Sequence, residues 1–197
     1  MSSKQVKNQT TLLSFFSFSR DGRQQERPLS ERIAVIVACS KQKLDHKAPA
    51  SELYQGDMFK KSKLFAIKLQ ADFYILSAKH GLITGSKIIE PYETVIQTKK
   101  DKDRLRLNLD GKIFENLALY GKVIIIMGQK YRDVLEPFFK NNYYILRTST
   151  GLGEYKTLLN NLTKFSPNRI LQALEEYKGI FVKIEEVRKE SWLKQKF

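Results

Sequence analysis

The residues that could do chemistry are concentrated in one stretch of the sequence, FYILSAKHGLITGSKIIEPY, residues 73–92. Lys79 and His80 follow its apolar start, and Glu90 comes before Pro91 near its end. A carboxylate can activate water, while a cation can hold a phosphate or a leaving group. Because Pro91 restricts Glu90 to an extended backbone, the Glu90 side chain would be aimed reproducibly. We therefore predict Glu90, Lys79 and His80 as catalytic residues, suited to cleaving an N-glycosidic bond.

Two further roles stay open for residues in and near this stretch. A lysine close to an abasic sugar could form a Schiff base and act as a lyase, for which Lys41, Lys43 and Lys79 are candidates. Tyr92, or Tyr54 in an earlier loop, could stack on a base extruded from DNA. The site would then read a damaged base as well as bind the DNA backbone.

Four apolar runs rich in β-branched residues predict the strands that position these side chains. Each run is short and continuous, which is typical of strands buried on both faces of a parallel sheet. Because the runs alternate with helical segments, we predict an α/β fold of three layers, with a mostly parallel sheet of about four to five strands and helices on both faces. The runs are residues 33–38, 73–76, 122–127 and 143–146.

The segments between and after the strands carry helix signals. Apolar residues recur at helical spacing, and a Ser-Pro pair is typical of an N-cap followed by proline in the first turn. The residues between His80 and Glu90 contain glycine and serine and are interpreted as a loop. We predict helices over residues 56–70, 98–119, 154–162 and 183–196, and one that begins at Ser166-Pro167.

Parallel strands end at the same edge of a sheet, so the polar residues that follow the four runs should converge. They carry hydroxyl groups and cations, which indicates a site for an anion such as a phosphate or the DNA backbone. Glycines that open a helix after the fourth strand would add free backbone N–H groups. The set is Cys39, Ser40, Lys41 and Lys43; Ser77, Lys79 and His80; Gly128, Gln129 and Lys130; Arg147, Thr148, Ser149 and Thr150; and Gly151 and Gly153.

The composition favours a nucleic-acid partner. The chain has 197 residues and a net charge of +14, which favours a polyanion, with nucleic acid ahead of an anionic membrane. No apolar run is long enough to span a membrane. Cys39 is the only cysteine, so a disulfide framework and a thiolate zinc site are excluded and a reducing, intracellular compartment is expected. Two histidines and one cysteine far apart predict no metal and no cofactor.

An apolar island interrupts an otherwise polar N-terminal segment. Residues 1–30 are predicted to be a mobile tail, and residues 31–197 a single α/β domain. In the island QTTLLSFF, one helical turn would put Leu12, Phe15 and Phe16 on one side. Such a plug buries nothing in its own tail, which is typical of a peptide that docks in a groove of a partner. Serines interrupt it, and it is too short for a signal peptide.

The island resembles the PIP box, the peptide that clients of the PCNA sliding clamp insert into the clamp. Gln9, Leu12, Phe15 and Phe16 match its four specified positions. Its N-terminal placement is similar to that in nuclear uracil-DNA glycosylases. The resemblance implies the PCNA sliding clamp and DNA as partners. It also implies an archaeal or eukaryotic chain, located in the cytoplasm and nucleoid in the first case and in the nucleus in the second.

Residues 34–160 resemble the YaaA-related domain. The resemblance is carried by the segments ACSKQK, LYQGDMF, LSAKHGL and IIEPY and, less distinctively, by MGQKY and GLGEY. Peroxide-stress YaaA proteins have a similar Leu-Ser, Gly-Leu and Pro-Tyr arrangement, bind DNA and are implicated in limiting oxidative DNA damage. This resemblance implies DNA binding, with Lys79, Tyr92 and the basic edge as candidates. Glu90-Pro91-Tyr92 is also similar to the Asp-Pro-Tyr of uracil-DNA glycosylases, in which the aspartate positions a water.

Three functions are consistent with these observations. The first is a clamp-recruited enzyme that acts on damaged or deaminated bases in DNA, either an N-glycosylase such as uracil-DNA glycosylase or an AP lyase. The second is a non-catalytic DNA-binding repair or protection factor with the same tail. The third is a nucleoside- or nucleotide-processing enzyme that uses the strand ends for phosphate, although such an enzyme has no need of a clamp-binding tail.

Overall fold

The structure is a computed structural model, and it describes residues 28–147, 152–176, 181–184 and 186. Several predicted features lie outside these residues. They are the tail with Gln9, Leu12, Phe15 and Phe16, the strand-end residues Thr148, Ser149, Thr150 and Gly151, and most of the helix predicted over residues 183–196.

A six-stranded sheet lies at the centre of the domain and confirms the predicted three-layer α/β fold, with more strands than expected. The strands in chain order are β1 (Ile33–Ala38), β2 (Ala48–Pro49), β3 (Asp72–Ser77), β4 (Gly81–Thr84), β5 (Ile88–Ile89), β6 (Lys122–Ile126), β7 (Tyr143–Leu146) and β8 (Phe181–Lys183). The order across the sheet is β4-β3-β1-β6-β7-β8, and β2 pairs with β5 in a small second sheet. The four predicted strands, β3, β1, β6 and β7, are parallel.

The two additional strands are antiparallel and lie at the sheet edges. β4 folds back on β3, and β8 pairs with β7. The interpretation of residues 81–84 as a loop is therefore wrong. Gly81 permits the tight reversal, because its φ is +71° and a Cβ there would lie 2.9 Å from the Asn108 carbonyl oxygen.

Helices cover both faces of the sheet. They are α1 (Ala50–Leu53), α2 (Asp57–Lys68), α3 (Lys99–Leu107), α4 (Gly111–Ala118), α5 (Gln129–Leu135), α6 (Leu152–Leu162) and α7 (Pro167–Glu176). α2 packs against α6, and α3 packs against α5. Ser166 Oγ accepts from the backbone N–H of Arg169, so the Ser-Pro start predicted for α7 is confirmed.

One helix prediction is wrong, and another differs from the structure at its first residue. Residues 98–119 form two helices, because Asp110 accepts from the Lys112 N–H and starts α4 after α3 has ended. The capping box of Thr98 and Asp101 begins α3 as a separate unit. In the helix predicted over residues 183–196, Lys183 is instead the last residue of β8, whereas Ile184 and Glu186 are helical.

The strand order defines where a ligand would be expected. β1 and β6 are neighbours, but the chain leaves β1 towards β3 on one side and leaves β6 towards β7 on the other. Such a reversal is a topological switch point, and ligands of open α/β sheets bind outside the carboxyl ends of the strands at that point. We call this side of the sheet, where β1, β3, β6 and β7 end, the carboxyl edge.

Candidate functional site

Tyr92 lies at the centre of the candidate site, and the small β2–β5 sheet brings it there. Because β2 and β5 pair, the segment that leaves β5 runs beside the loop that follows β1. In that loop Lys43 forms an antiparallel bridge with Tyr54. Tyr92 is 7% exposed and its hydroxyl reaches Ser77 at the end of β3. The segment that follows β5 therefore brings Tyr92 to the carboxyl edge.

Three buried hydroxyl groups form a hydrogen-bonded chain at this point. The Tyr92 hydroxyl lies 2.7 Å from Ser77 Oγ and 2.8 Å from the Tyr54 hydroxyl. Ser77 Oγ also accepts from the backbone N–H groups of Lys79 and His80, at 3.3 and 3.1 Å. Because those two donors occupy its lone pairs, Ser77 donates its proton to Tyr92, which in turn donates to Tyr54. The three hydroxyls thus satisfy one another.

This chain corrects the roles predicted for its three members. Ser77 is fully buried, so it does not offer its hydroxyl to an anion at the surface. Tyr54 is 1% exposed, and neither it nor Tyr92 presents a free ring face on which a base could stack. Burial raises the pKa of Tyr54 to about 12 and raises the pKa of Tyr92 far above its usual range. Both tyrosines are therefore neutral at physiological pH.

Two lysine ammonium groups lie close to the Tyr92 ring. Lys43 Nζ is 4.4 Å and Lys79 Nζ is 5.8 Å from the ring centre, both within the range of a cation–π interaction. Lys43 also donates to the Lys41 carbonyl at 3.2 Å. Lys41 and Lys79 are exposed. Within the part of the chain that the structure describes, none of these three lysines pairs with a carboxylate.

His80 packs edge-on against Tyr92, with ring centres 5.3 Å apart and ring planes at 84°. Its Nε2 atom is buried and has no hydrogen-bond partner among the described residues. Burial lowers the pKa of His80, and the positive charges of Lys79 and Lys87 lower it further. Because burial and the two lysine charges lower its pKa, His80 is neutral at physiological pH.

Ser40 shapes the loop that carries the lysines. Its Oγ donates to the Gln42 carbonyl at 2.7 Å and accepts from the Gly56 N–H at 3.1 Å. A Cβ at Gly56 would lie 2.7 Å from Ser40 Cβ, so only glycine allows this close approach. The hydroxyl proton of Ser40 is thus used within the protein, which corrects its predicted role as a donor to an anion.

Cys39 and Tyr131 occupy the switch point between β1 and β6. Cys39 Sγ lies 3.3 Å from the Tyr131 hydroxyl. Burial raises the pKa of Tyr131, and the neighbouring Cys39 adds to the rise, so the hydroxyl stays protonated and can donate to the sulfur. Tyr131 is not among the site residues predicted from the sequence. The only signal for it is an aromatic residue within the polar stretch that follows β6.

The end of β6 is more open than the end of β3. Gly128 precedes α5, and a Cβ there would meet no atom within 4 Å. Lys130 is exposed. Gln129 donates to Asp133 and accepts from Arg132, so its amide is used within α5. Lys130 is therefore the residue of this strand end that is free to meet an anion.

The end of β7 is described only in part. Arg147 is half-buried directly after the strand, and Gly153 is exposed in the first turn of α6 with open space around it. Ser149 and Gly151 lie outside the described residues. Anion binding at the opening of α6 stays a prediction.

Glu90 differs from its neighbours in the chain. It is exposed, whereas Tyr92, two residues later, is buried. No hydrogen bond or ion pair joins Glu90 to another described residue. Its role in activating water stays a prediction.

A protein-family model matches residues 34–162, and the family is described as a family of unknown function, DUF6884. The chain belongs to this family. The DUF6884 match extends from β1 to the end of α6, so it contains the hydroxyl chain, the lysines around Tyr92 and the switch point. No curated protein and no solved structure matches the chain.

The described residues contain neither a candidate membrane span nor a candidate cluster of metal ligands. None of the helices there has the length and apolar character needed to cross a bilayer. No three side chains of the types His, Cys, Asp and Glu come together there as metal ligands would. His46 is exposed and lies 2.8 Å from the carboxylate of Asp45 beside it.

Proposed function

We propose that this protein is a sliding-clamp-recruited DNA-binding protein of DNA repair, and that the carboxyl edge of its sheet binds the DNA backbone. One observation carries the proposal: Lys41, Lys43, Lys79 and Lys130 lie at this edge, and none is in an ion pair with a described residue. Unpaired ammonium groups bind phosphate oxygens, and a net charge of +14 attracts a polyanion over a long range.

The resemblance of residues 34–160 to the YaaA-related domain supports the same proposal, because peroxide-stress YaaA proteins bind DNA. The internal use of the Ser40 and Ser77 hydroxyls refines it. Contacts to DNA would come from ammonium groups and not from serine hydroxyls. Such contacts carry no sequence information, so binding would be largely independent of sequence.

A charge-matched comparison tests the location of DNA binding. Lys41→Gln with Lys79→Gln removes two charges from the carboxyl edge, while Lys68→Gln with Lys140→Gln removes two from the residues that precede β3 and β7 at the opposite edge. In a plot of log affinity for a short duplex against log salt concentration, the first pair should make the slope shallower by about two. The second pair should leave the slope near that of the wild type. Equal effects of the two pairs would contradict the proposal.

Recruitment by the clamp is supported by the island QTTLLSFF in the N-terminal segment. Phe15→Ala with Phe16→Ala removes its two aromatic anchors and should abolish binding of the full-length chain to PCNA. Ser14→Ala with Ser17→Ala alters the residues on either side of the anchors and should leave binding intact. Calorimetric titration of PCNA with each variant provides the measurement. If the Phe15 and Phe16 variant still binds the clamp, the recruitment part of the proposal fails.

A second candidate is base-excision chemistry at the same edge, as an N-glycosylase or an AP lyase. His80 favours it, because a neutral imidazole with an unpartnered Nε2 can accept a proton. Exposed Lys79 beside it could form the Schiff base of a lyase. Duplexes that contain uracil, hypoxanthine, oxidised guanine or an abasic site, assayed with and without alkali and with borohydride, test both reactions.

The variants separate the catalytic roles. Glu90→Gln should lower turnover by roughly a hundredfold if Glu90 activates the water, and His80→Gln should do so if the imidazole is the base. A borohydride-trapped adduct that Lys79→Gln abolishes would establish the lyase. If no duplex is cleaved and no adduct forms, the DNA-binding protein is a non-catalytic protection factor. If only free nucleosides or nucleotides are converted, the third function, a nucleotide-processing enzyme, replaces the proposal.

A further inference from the structure

We propose that Lys43 and Lys79 together hold one phosphate group, and that Tyr92 is the positioning residue that sets the two ammonium groups for it. This inference rests on the proposed function and adds the ligand group and the residues that seat it. The phosphate would be a phosphodiester of DNA. A free phosphate or a nucleoside monophosphate offers the same chemistry, and the experiment below distinguishes these sources.

The two ammonium groups are held near one aromatic ring without being neutralised. Lys43 Nζ and Lys79 Nζ lie 4.4 and 5.8 Å from the centre of the Tyr92 ring. They are therefore at most about 10 Å apart, close to the Debye length at physiological salt, so part of their mutual repulsion survives screening. Ring quadrupoles attract cations but carry no net charge. An anion between the two lysines would remove the repulsion.

Tyr92 is suited to positioning because its ring is fixed on several sides. Its hydroxyl is hydrogen-bonded to Ser77 and Tyr54, and the edge-on contact with His80 restrains the ring itself. Burial raises the pKa of Tyr92, so the phenol contributes no negative charge that could satisfy the lysines. The ring thus orients the ammonium groups and leaves both charges for a ligand.

Further contacts restrain Lys43 and relate Lys79 to the neighbouring His80. Lys43 donates to the Lys41 carbonyl at 3.2 Å, which limits the freedom of its side chain, and its backbone is fixed by the bridge with Tyr54. Lys79 directly precedes His80, whose ring contacts the same Tyr92 ring, and the charge of Lys79 contributes to the lowered pKa of His80. Less side-chain entropy is lost on binding when cations are held in this way.

The test uses the full-length chain and the salt dependence of its affinity for a short duplex. We call the phosphate site formed by Lys43 and Lys79 the phosphate seat. Because this site needs both ammonium groups, Lys43→Gln, Lys79→Gln and the double variant should each make the slope of log affinity against log salt shallower by about one, the value for one phosphate. Lys79→Gln combined with Lys130→Gln should flatten it by about two. If the slope of the Lys43 and Lys79 double variant is also shallower by about two, the lysines bind separate phosphates and the inference is wrong.

Variants of Tyr92 test the positioning role. Tyr92→Phe keeps the ring and should keep the wild-type slope. Tyr92→Leu removes the ring and should make the slope of log affinity against log salt shallower by about one. Adding Lys79→Gln to Tyr92→Leu should change the slope no further. If Tyr92 had a purely structural role, the two changes in slope would add. If Tyr92→Leu does not fold, the lysine variants above still decide the inference.

Direct titrations distinguish the possible sources of the phosphate. They also separate a failure of the phosphate site from a failure of the DNA-binding proposal. Inorganic phosphate and a deoxynucleoside monophosphate are titrated separately into the wild type and the Lys43 and Lys79 double variant. Tight binding of the monophosphate that requires both lysines, with no binding of duplex, would keep the phosphate seat and overturn the DNA-binding proposal. Duplex binding that is unaffected in the double variant would keep the DNA-binding proposal and overturn the seat.

Discussion

The two halves of the carboxyl edge differ in how their polar residues are used. At the ends of β1 and β3, Ser77, Tyr92 and Tyr54 are buried in one hydrogen-bonded chain. At the end of β6, Gly128 and Lys130 are exposed and open space surrounds the glycine. Both halves follow a buried parallel strand with a short run of polar residues.

This difference shows that the residue types at a strand end do not reveal which of them meet a ligand. Serine hydroxyls look like donors for an anion, yet Ser40 and Ser77 stabilise loops instead. The lysines look like solvated surface charges, yet Lys43 and Lys79 are held at a buried ring. In the β1–β3 half the polar side chains converge on one buried tyrosine, whereas at the end of β6 the Gln129 amide is used within α5 and Lys130 is exposed.

The largest expected effect contrasts the central tyrosine of each half. Tyr92→Ala removes a buried ring and breaks the hydroxyl chain, so it should lower the free energy of unfolding by about 3–5 kcal/mol. Tyr131 is half-buried, and Tyr131→Ala should cost about 1–2 kcal/mol. Urea denaturation measures both. Equal losses would mean that the two halves are equally organised.

The strand-end glycines give the next largest contrast. Gly81→Ala introduces a Cβ 2.9 Å from the Asn108 carbonyl oxygen at a φ of +71°, and should destabilise the fold by about 1–3 kcal/mol. Gly128→Ala meets open space at a φ of −68° and should stay within about 0.5 kcal/mol of the wild type. Thermal unfolding of the two variants provides the measurement. A tolerated Gly81→Ala would show that the β3–β4 turn adjusts freely.

The hydroxyl chain should show coupling that side chains in the other half lack. Ser77→Ala and Tyr54→Phe should each cost about 1–2 kcal/mol, since each leaves buried polar groups with fewer partners. Their double variant should cost less than the combined single losses, because both act on Tyr92. Gln129→Ala, at an exposed position, should cost less than about 0.5 kcal/mol. Strict additivity of the Ser77 and Tyr54 losses in urea denaturation would argue against a continuous chain.

The smallest effect is a pH dependence confined to the β1–β3 half. The pKa of His80 is lowered in the folded state by burial and by the charges of Lys79 and Lys87, so the unfolded chain takes up the proton first as the pH falls. Stability should therefore decrease from about pH 7.5, through the unfolded-state pKa of about 6.5, towards the lower folded-state pKa. His80→Gln should show a smaller decrease over this window. An unchanged profile in His80→Gln would mean that the imidazole is freely solvated.

Much of the fold could be predicted because its signals are local. Continuous β-branched runs predict β1, β3, β6 and β7, and Ser166-Pro167 predicts the start of α7. β4 was missed because its residues lie between glycines that are typical of a loop, while its partner strand is set by the reversal at Gly81. The break between α3 and α4 depends on caps at Thr98 and Asp110 that the apolar periodicity concealed.

Less of the candidate site could be predicted, because its geometry depends on non-local pairing. The sequence indicates Tyr92 as a candidate for contacting DNA, but only the β2–β5 pairing shows that its ring is buried against Tyr54. The contact between Cys39 and Tyr131 joins residues far apart in the chain and has no sequence signature. Pro91 distinguishes Glu90 in the sequence, but a neighbouring proline does not determine burial, and Glu90 is exposed.

The most direct test of the central claim, that DNA binds at the carboxyl edge, is amide hydrogen exchange of the full-length chain with and without a short duplex. Slower exchange in the presence of DNA is predicted for residues 39–44 and 78–81, which form the loops around Tyr92. Residues 69–72 and 139–142, at the opposite edge, should exchange at the same rate with and without DNA. Protection of the second pair of segments without the first would contradict the claim.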